Sequence, residues 1–395
     1  KEIDLLIKNN KIKCEKCGKD ALTNASKFNL MFHTNVGPKQ TEESKAYLRP
    51  ETAQIIFSNF KLIQENARLK LPFGIAQIGK AFRNEISPRH FLFRSREFEQ
   101  MELEYFVHPN KREICPYTKE IENQEINIFS REMQEKNQKQ KSMKIKDALK
   151  RKIIKNPWHA YWLAKEHNWF TSLNVKKENL RIRQHLKEEL SHYATDTWDL
   201  EYNFPFGWKE ILGIADRGDF DLQQHIKNSK SDLSLFDEET KKKIIPHVFA
   251  EPSLGVDRAF LVFLYDAYSF DKKRDNIVLK LHPKLVPIEV GIFPLVNKLE
   301  KQAEKIYNSL KEDFNCFFDS KGSIGRRYAR MDEAGAFISC TIDFDTIKDK
   351  KITLRNRDTT EQIRIPIAKL KEAIQKILNG EKFSSLGKKV NTRAK

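Results

Sequence analysis

Two stretches of alternating polar and apolar residues, GIAQIGKAF and REFEQMELEYFV, flank the segment ISPRHF, and this arrangement constrains the chain more than any other. A period of two marks a strand with unlike faces, and Ser-Pro favours a turn. The segment predicts an antiparallel hairpin with a medium-length loop. On the outgoing strand Gln77, Arg83 and Glu85 share a face; on the return strand Arg94, Arg96, Phe98, Gln100, Glu102 and Glu104 share one. One sheet face therefore carries arginines, carboxylates and an aromatic ring. Charges held over a sheet cost desolvation unless they meet a ligand or each other. The face is either a ligand platform or a solvated lattice of ion pairs.

At 395 residues the chain has room for two or three domains and a large core. Lys and Arg number 72 against 55 Asp and Glu, a net charge of +17. Such an excess draws polyanions, nucleic acid foremost, although a lysine-rich bias in composition gives the same figure. Five cysteines, odd and sparse, do not form a disulfide framework. The opening residues KEIDLLIKNN are too polar for a signal peptide, and no apolar run reaches the length of a membrane span. A cytoplasmic protein without membrane contact is expected.

Along the chain, residues 110–185 are polar and helical in tone. Within them SREMQEKNQKQKSMKIKDALKRK reads as a solvated helix or mobile insertion rather than core. Strands and turns return over 190–222, followed by a charged connector at 223–245. The strand PHVFAEPS precedes a helix from about Val256 to Tyr268, and 271–285 reads as a linker. Then come strand PIEVGIFPL, helix 297–312, strand NCFFD, a short helix near 325–334, strands AFISCTIDF, KITLRN and QIRI, and a helix from Ala368 to Leu378. This alternation predicts a small α/β domain with a parallel or mixed sheet. The expected boundaries are 1–280, with an insertion at about 110–185, and 281–395 with a short basic tail.

The string FRNEISPR (Phe82–Arg89), the run Arg94–Phe98 and the pair Glu102 and Glu104 resemble motif 2 of class II aminoacyl-tRNA synthetases, the glycyl enzymes in particular. AYLRPETAQ and WKEILGIADRGDFDL are similar to further segments of those enzymes, and EPSLGVDRAF to their motif 3. The resemblance implies an α+β protein: an antiparallel-sheet class II catalytic domain, then an α/β anticodon-binding domain. It implies ligation of glycine to tRNA(Gly) through glycyl-adenylate, with ATP and Mg²⁺, by a homodimer. The match leaves out roughly 110–160, and no counterpart of motif 1, which builds the family's dimer interface, is found; that region is expected to be missing or reduced.

By resemblance, Arg83 and Arg258 are the catalytic pair. Arg83 binds the ATP α-phosphate and steadies the charge that builds on it, and Arg258 grips the γ-phosphate and covers adenine. Glu85 holds the adenine amino group, Phe98 stacks under the base, Arg94 meets the terminal phosphates and Glu210 coordinates Mg²⁺. Asn84, Phe93, Ser95, Arg96, Glu97, Ile211, Gly255, Val256 and Asp257 complete the implied ATP site; Ile211 stands where the family has Leu. Glu102 accepts the glycine ammonium, Glu51 is a second anchor, and Ser253 contacts the amino acid. Phe98, Glu99, Gln100, Met101, Glu251, Pro252, Leu254 and Gly255 surround it. Preference for glycine is expected to be steric, because any Cβ must overlap the wall of the site.

The residues alone leave other readings open. Pro50 and Glu51 also suit the first turn of a helix. Arg258, in a first turn, opposes the helix dipole, which a bound anion would explain. Arg326, Arg327 and Arg330 beside a Gly-containing turn suit tRNA phosphate or a solvated helix face. Cys14 and Cys17 have half the spacing of a zinc site, so zinc competes with a chance or vestigial pair. A non-catalytic binding module typically loses the charged residues of motifs 2 and 3, yet Arg83, Glu85, Arg94, Glu102 and Arg258 are all present. A synthetase for proline, threonine or histidine is disfavoured by paired Glu51 and Glu102 and by Glu-Pro-Ser-x-Gly.

Overall fold

The computed structural model describes residues 2–20, 22–24 and 28–390. Helix α1 (Ala53–Asn66) buries Ala53, Ile56, Phe57 and Phe60, the i, i+3, i+4, i+7 stripe of an amphipathic helix. That stripe meets Phe73 and Phe106, with the Phe60 and Phe106 rings 4.5 Å apart. Strand β1 (Phe73–Phe82) pairs antiparallel with β2 (Glu97–Val107), Gln77 opposite Glu102 and Ala81 opposite Phe98. The expected hairpin is present, but its ladder ends at Phe82 and Glu97. Arg83, Glu85, Arg94 and Arg96 therefore sit in the loop rather than on the strands, where Arg83 N–H to Arg96 O (2.9 Å) and Arg89 N–H to Arg94 O (3.1 Å) still tie the two arms.

Next come β3 (Glu125–Phe129), β4 (Lys141–Lys144), α2 (Pro157–Ser172) and β5 (Leu180–Gln184). The long hairpin β6 (Asp196–Phe204) and β7 (Gly207–Asp216) follows, then α3 (Phe220–Ser229), β8 (His247–Val248), β9 (Glu251–Gly255) and α4 (Val256–Ala267). The strands make one nine-stranded sheet in the order β8-β2-β9-β7-β6-β5-β3-β4, with β1 on the other side of β2. Only β3 and β5 run parallel. PHVFAEPS is thus two strands, both bordering β2.

The expectation that residues 130–152 are solvated rather than core is corrected. Ser130 caps a short helix, β4 is the sheet edge, and Met133, Ile145 and Ala148 are buried. More widely, Ile126, Ile128, Trp158, Leu163 and Phe170 help to fill the main core. The charged connector at 223–245 carries the end of α3 and a small hairpin, Leu235–Asp237 with Lys242–Ile244. The linker at 271–285 begins with another, β10 (Tyr268–Asp271) and β11 (Asn276–Leu279). From the turn of that hairpin Arg274 donates to Asp332 and to the carbonyl of Arg357, at 2.9 and 2.7 Å.

The C-terminal part contains β12 (Val290–Pro294), α5 (Glu300–Leu310), β13 (Cys316–Phe318), α6 (Ile324–Ala334), β14 (Ile338–Ile342), β15 (Lys351–Asn356), β16 (Gln362–Pro366), α7 (Leu370–Leu378) and β17 (Lys388–Lys389). Its six-stranded sheet runs β13-β12-β14-β15-β16-β17, parallel around β12 and antiparallel beyond, a mixed sheet over its own core. A helix at Phe344–Asp349, capped by Asp343, was not expected from sequence. Among the described residues no helix is long and apolar enough to cross a membrane.

Candidate active site

Phe98 and Gln100 of β2 face a cleft closed by the 83–96 loop, the end of β9 and the start of α4. Arg83 lies over the Phe98 ring, 5.2 Å from its centroid, and its Nε donates to the carbonyl of Pro50 at 3.1 Å. Arg258 lies over Phe93 at 4.6 Å, and its Nη1 donates to the Glu210 carbonyl at 3.0 Å. The same guanidinium stands 3.4 Å from the Glu210 carboxylate. Partial burial opposes ionisation of Glu210, but Arg258 and Arg83 win and hold it below the usual carboxylate range. Glu85 and Arg94 form an ion pair at 2.6 Å across the cleft mouth. Ser95, Glu99, Gly255 and Asp257 also line the cleft, Asp257 Oδ2 accepting from Glu99 N–H at 2.9 Å.

Where β2 meets β9 the carboxylates become buried. Glu102, 3% exposed, accepts from the backbone N–H and hydroxyl of Thr52, from Gln100 Nε2 (2.7 Å) and from Ser253 Oγ (2.9 Å). Thr52 stands at the N-terminus of α1, where free N–H groups favour an anion. Beside it Arg217, 2% exposed, donates to Glu251 at 2.7 Å and to both oxygens of Asp221 at 2.7 and 2.8 Å, and stands 3.8 Å from Glu51. Arg217 also lies over the Tyr193 ring at 4.0 Å. Burial pushes Glu251 up to about 8 against the pull of Arg217, with Glu102 and Glu51 adding repulsion. The pocket thus holds several carboxylates and a single guanidinium.

The structure brings together Arg83, Glu85, Phe93, Arg94, Ser95, Phe98, Glu99, Gln100, Glu210, Ser253, Gly255, Asp257 and Arg258 around the cleft. Glu51, Glu102 and Glu251 gather around Arg217 and Ser253. The rest of the expected site is corrected by strand alternation. Ile211 (1% exposed) and Leu254 (5%) are core, Met101 packs against that core, and Pro252 faces the reverse side of the sheet. Asn84 bonds the carbonyl of Asn29, Arg96 that of Glu85, and Glu97 pairs outward with Lys80 at 3.1 Å. Val256 opens α4.

The sequence reading missed Arg217, Asp221, Glu104 as a buried group, and Asp199. The signal for Arg217 was an arginine between two aspartates directly after the apolar strand ILGIA. Asp199 on β6 is 5% exposed and is held by His185 Nε2 at 2.7 Å. Burial pushes it up to about 7. A Cβ added at Gly213 would lie 3.6 Å from Asp199 Oδ1 and 3.8 Å from Glu210 Oε1, so the glycine leaves a gap between two converging carboxylates. That donor set suits a hard divalent cation such as Mg²⁺. Cys14 is half-buried and Cys17 exposed, both as free thiols, and among the described residues no cluster of three or more His, Cys, Asp or Glu suited to a metal is found.

In the C-terminal part Arg327 is corrected outright. It is 2% exposed and donates to the carbonyls of Pro294, Leu295, Asp319 and Gly322. Its spacing on α6 turns it toward β12, leaving Arg326 and Arg330 outward, the latter bonded to Asp319.

Arginines over aromatic rings, beside an antiparallel sheet that also presents buried carboxylates, followed by a mixed α/β unit, are the arrangement expected of a class II aminoacyl-tRNA synthetase. The family model described as tRNA synthetase class II core domain (G, H, P, S and T) matches residues 32–268, and that described as Anticodon binding domain matches residues 289–377. Glycine–tRNA ligase from Acetivibrio thermocellus is 46% identical over 367 residues, covering 92% of this chain and 70% of the relative. Those from Ruminiclostridium cellulolyticum and Geobacillus kaustophilus are 45% and 43% identical, covering 93% and 95% of this chain and 71% and 72% of theirs. The chain belongs to the glycine–tRNA ligases, enzymes that join glycine to tRNA.

Proposed function

We propose that the cleft makes glycyl-adenylate from glycine and ATP and then passes the glycyl group to the 3′ end of tRNA(Gly). The observation that carries this reading is the placement of arginines and buried carboxylates at opposite ends of one site. Arg83, Arg94 and Arg258 stand at one end, and Glu51, Glu102 and Glu251 at the other. Gln100 sits at the seam, its Nε2 bonding both Glu102 and Ser253, at 2.7 and 2.8 Å. The triphosphate lies along the arginines with adenine on Phe98. The glycine ammonium turns to the carboxylates, which leaves its own carboxylate at the seam beside the α-phosphate.

In-line attack then needs no general base, so positioning and electrostatics carry the rate. Arg83 meets the α-phosphate oxygens, where charge gathers as the carboxylate attacks. To do so it leaves the Pro50 carbonyl and yields the Phe98 ring to adenine. Glu85 and Arg94 exchange their mutual bond for the adenine amino group and the terminal phosphates. Glu210 and Asp199 would hold Mg²⁺, which when bound neutralises phosphate charge. The 281–395 domain holds the anticodon arm, with Arg326 on phosphate. By family resemblance the enzyme works as a cytoplasmic homodimer.

Exchange of labelled pyrophosphate into ATP, assayed with each amino acid in turn, tests the reading. Glycine alone is expected to support exchange. Exchange with a different amino acid would overturn the assignment of the carboxylate pocket, and silence with all twenty would make the fold a binding module.

A further inference from the structure

Two residues beyond Glu102, on the same face of β2, Glu104 is fully buried (0% exposed). Among the described residues neither of its carboxyl oxygens has a hydrogen-bond partner. Charged groups surround it: Glu102 on its own strand, Glu251 on β9, Arg217 in the turn after β7 and Asp221 on α3. Glu51 before α1 and the Tyr193 hydroxyl join the cluster around Arg217. The neighbouring strand β1 places apolar Ile75 opposite, and the buried face of α1 is apolar throughout. His225 stacks on the far side of Phe57 and bonds Gln54.

Five carboxylates therefore share one guanidinium, whose recorded bonds go to Asp221 and Glu251 and not to Glu104. A dry carboxylate with no donor is far more costly ionised than neutral. Burial first, and the nearby Glu251 second, drive Glu104 well above the usual range despite Arg217. Glu104, whose oxygens meet no donor among the described residues, is the group best able to hold a proton in this cluster.

We propose that Glu104 holds a proton while the glycine pocket is empty and gives it up when the substrate ammonium docks above it, making glycine capture proton-linked. The proposal rests on reading Glu102 and its neighbours as the ammonium site. The O–H bond of Glu104 breaks, the proton passes to bulk buffer, and the positive charge of the ammonium takes its place among the carboxylates. Glu104 touches no substrate atom; it is a positioning residue that sets the charge of the pocket. A cation beside a carboxyl with a raised pKa lowers that pKa. Between the free and bound values binding then releases a proton, and affinity for glycine rises with pH, up to about tenfold per pH unit for one proton.

The test has two parts. Glycine is added to lightly buffered enzyme with a pH indicator, and KM for glycine in pyrophosphate exchange is followed from about pH 6 to about pH 8, around neutrality. Wild type is expected to release up to one proton per site, with KM falling as pH rises. Glu104→Gln, a neutral isostere, is expected to abolish the release and flatten the glycine profile while leaving the ATP profile unchanged. If that variant does not fold, Glu104→Leu serves instead, since buried ionic clusters tolerate apolar replacement of similar volume. No proton release from wild type overturns the proposal. So does release that persists undiminished in the variant, which would put the proton on Glu251. In either case glycine-dependent exchange would still uphold the reading of the pocket; only its absence would overturn that reading.

Discussion

Arg94 donates twice to one oxygen of Glu85, from Nε at 2.9 Å and from Nη2 at 2.6 Å. Both side chains arise from the 83–96 loop and hold its two arms together at the cleft mouth. Arg94 is 42% exposed, so the pair adds little to stability, about 1 kcal/mol at most. Arg94→Ala should therefore leave the thermal midpoint almost unmoved. A lost charge-assisted bond to phosphate is worth about 1.5–3 kcal/mol, so KM for ATP should rise between about tenfold and a hundredfold. An unchanged ATP dependence in pyrophosphate exchange would remove Arg94 from the substrate site.

Arg83 spans the floor and wall of the same cleft, over Phe98 and against the Pro50 carbonyl. If it steadies the charge of the reacting phosphate, Arg83→Ala should lower kcat for exchange by about 10²–10³-fold, the usual cost of a lost donor at a developing charge. Circular dichroism should show the fold intact. Activity within tenfold of wild type would take this arginine out of the chemistry.

Asp199 and Glu210 converge on the gap left by Gly213. Asp199→Asn removes a cation ligand, while the retained side-chain oxygen can still accept from His185. The Mg²⁺ concentration for half-maximal exchange should rise severalfold with little change in melting temperature. An unaltered Mg²⁺ requirement would argue that the two carboxylates do not share a cation.

The hairpin was legible in the sequence because alternation over ten or so residues admits few other structures. Its ends were not: a strand pattern does not say where a ladder stops, and here Arg83 and Arg94 lie past the end of the continuous ladder at Phe82 and Glu97. Segment 130–152 misled for a different reason. Its elements are only four to six residues long, and together they bury just Met133, Ile145 and Ala148, so no period builds up against the surrounding lysines and glutamines. Arg217 was hidden because its meaning lies in Glu251, distant in sequence, and in the pocket that only the folded sheet assembles. Ile211 and Leu254 show the converse, that residues adjacent in a functional string point to opposite faces of a strand.

The role of residues 110–185 as core can be weighed directly at Trp158. It is 1% exposed, packs edge-on against Tyr117, and its indole N–H bonds the Lys111 carbonyl at 3.0 Å. Trp158→Ala should destabilise the protein by about 3–5 kcal/mol. A fall in the urea midpoint with one cooperative transition would mark the segment as integral to the fold. A loss under 1 kcal/mol would restore the view of it as an appended insertion.

Arg326 and Arg327 are neighbours on α6 with opposite fates, and this separates binding from folding in the C-terminal domain. The Arg327 guanidinium is enclosed by four backbone carbonyls, so Arg327→Ala removes their donor and opens a void. A loss of about 2–5 kcal/mol is expected, as for other large buried side chains cut back to alanine. Arg326 is exposed, and Arg326→Ala should stay within about 0.5 kcal/mol of wild type. If Arg326 meets a tRNA phosphate, its removal should weaken tRNA binding and reduce the slope of log affinity against log salt by about 1. Arg327→Ala, tested at a temperature where it remains folded, should keep the wild-type slope, because a side chain that faces β12 releases no counterion when RNA arrives. Equal salt slopes for wild type and Arg326→Ala would move the RNA contact off this helix.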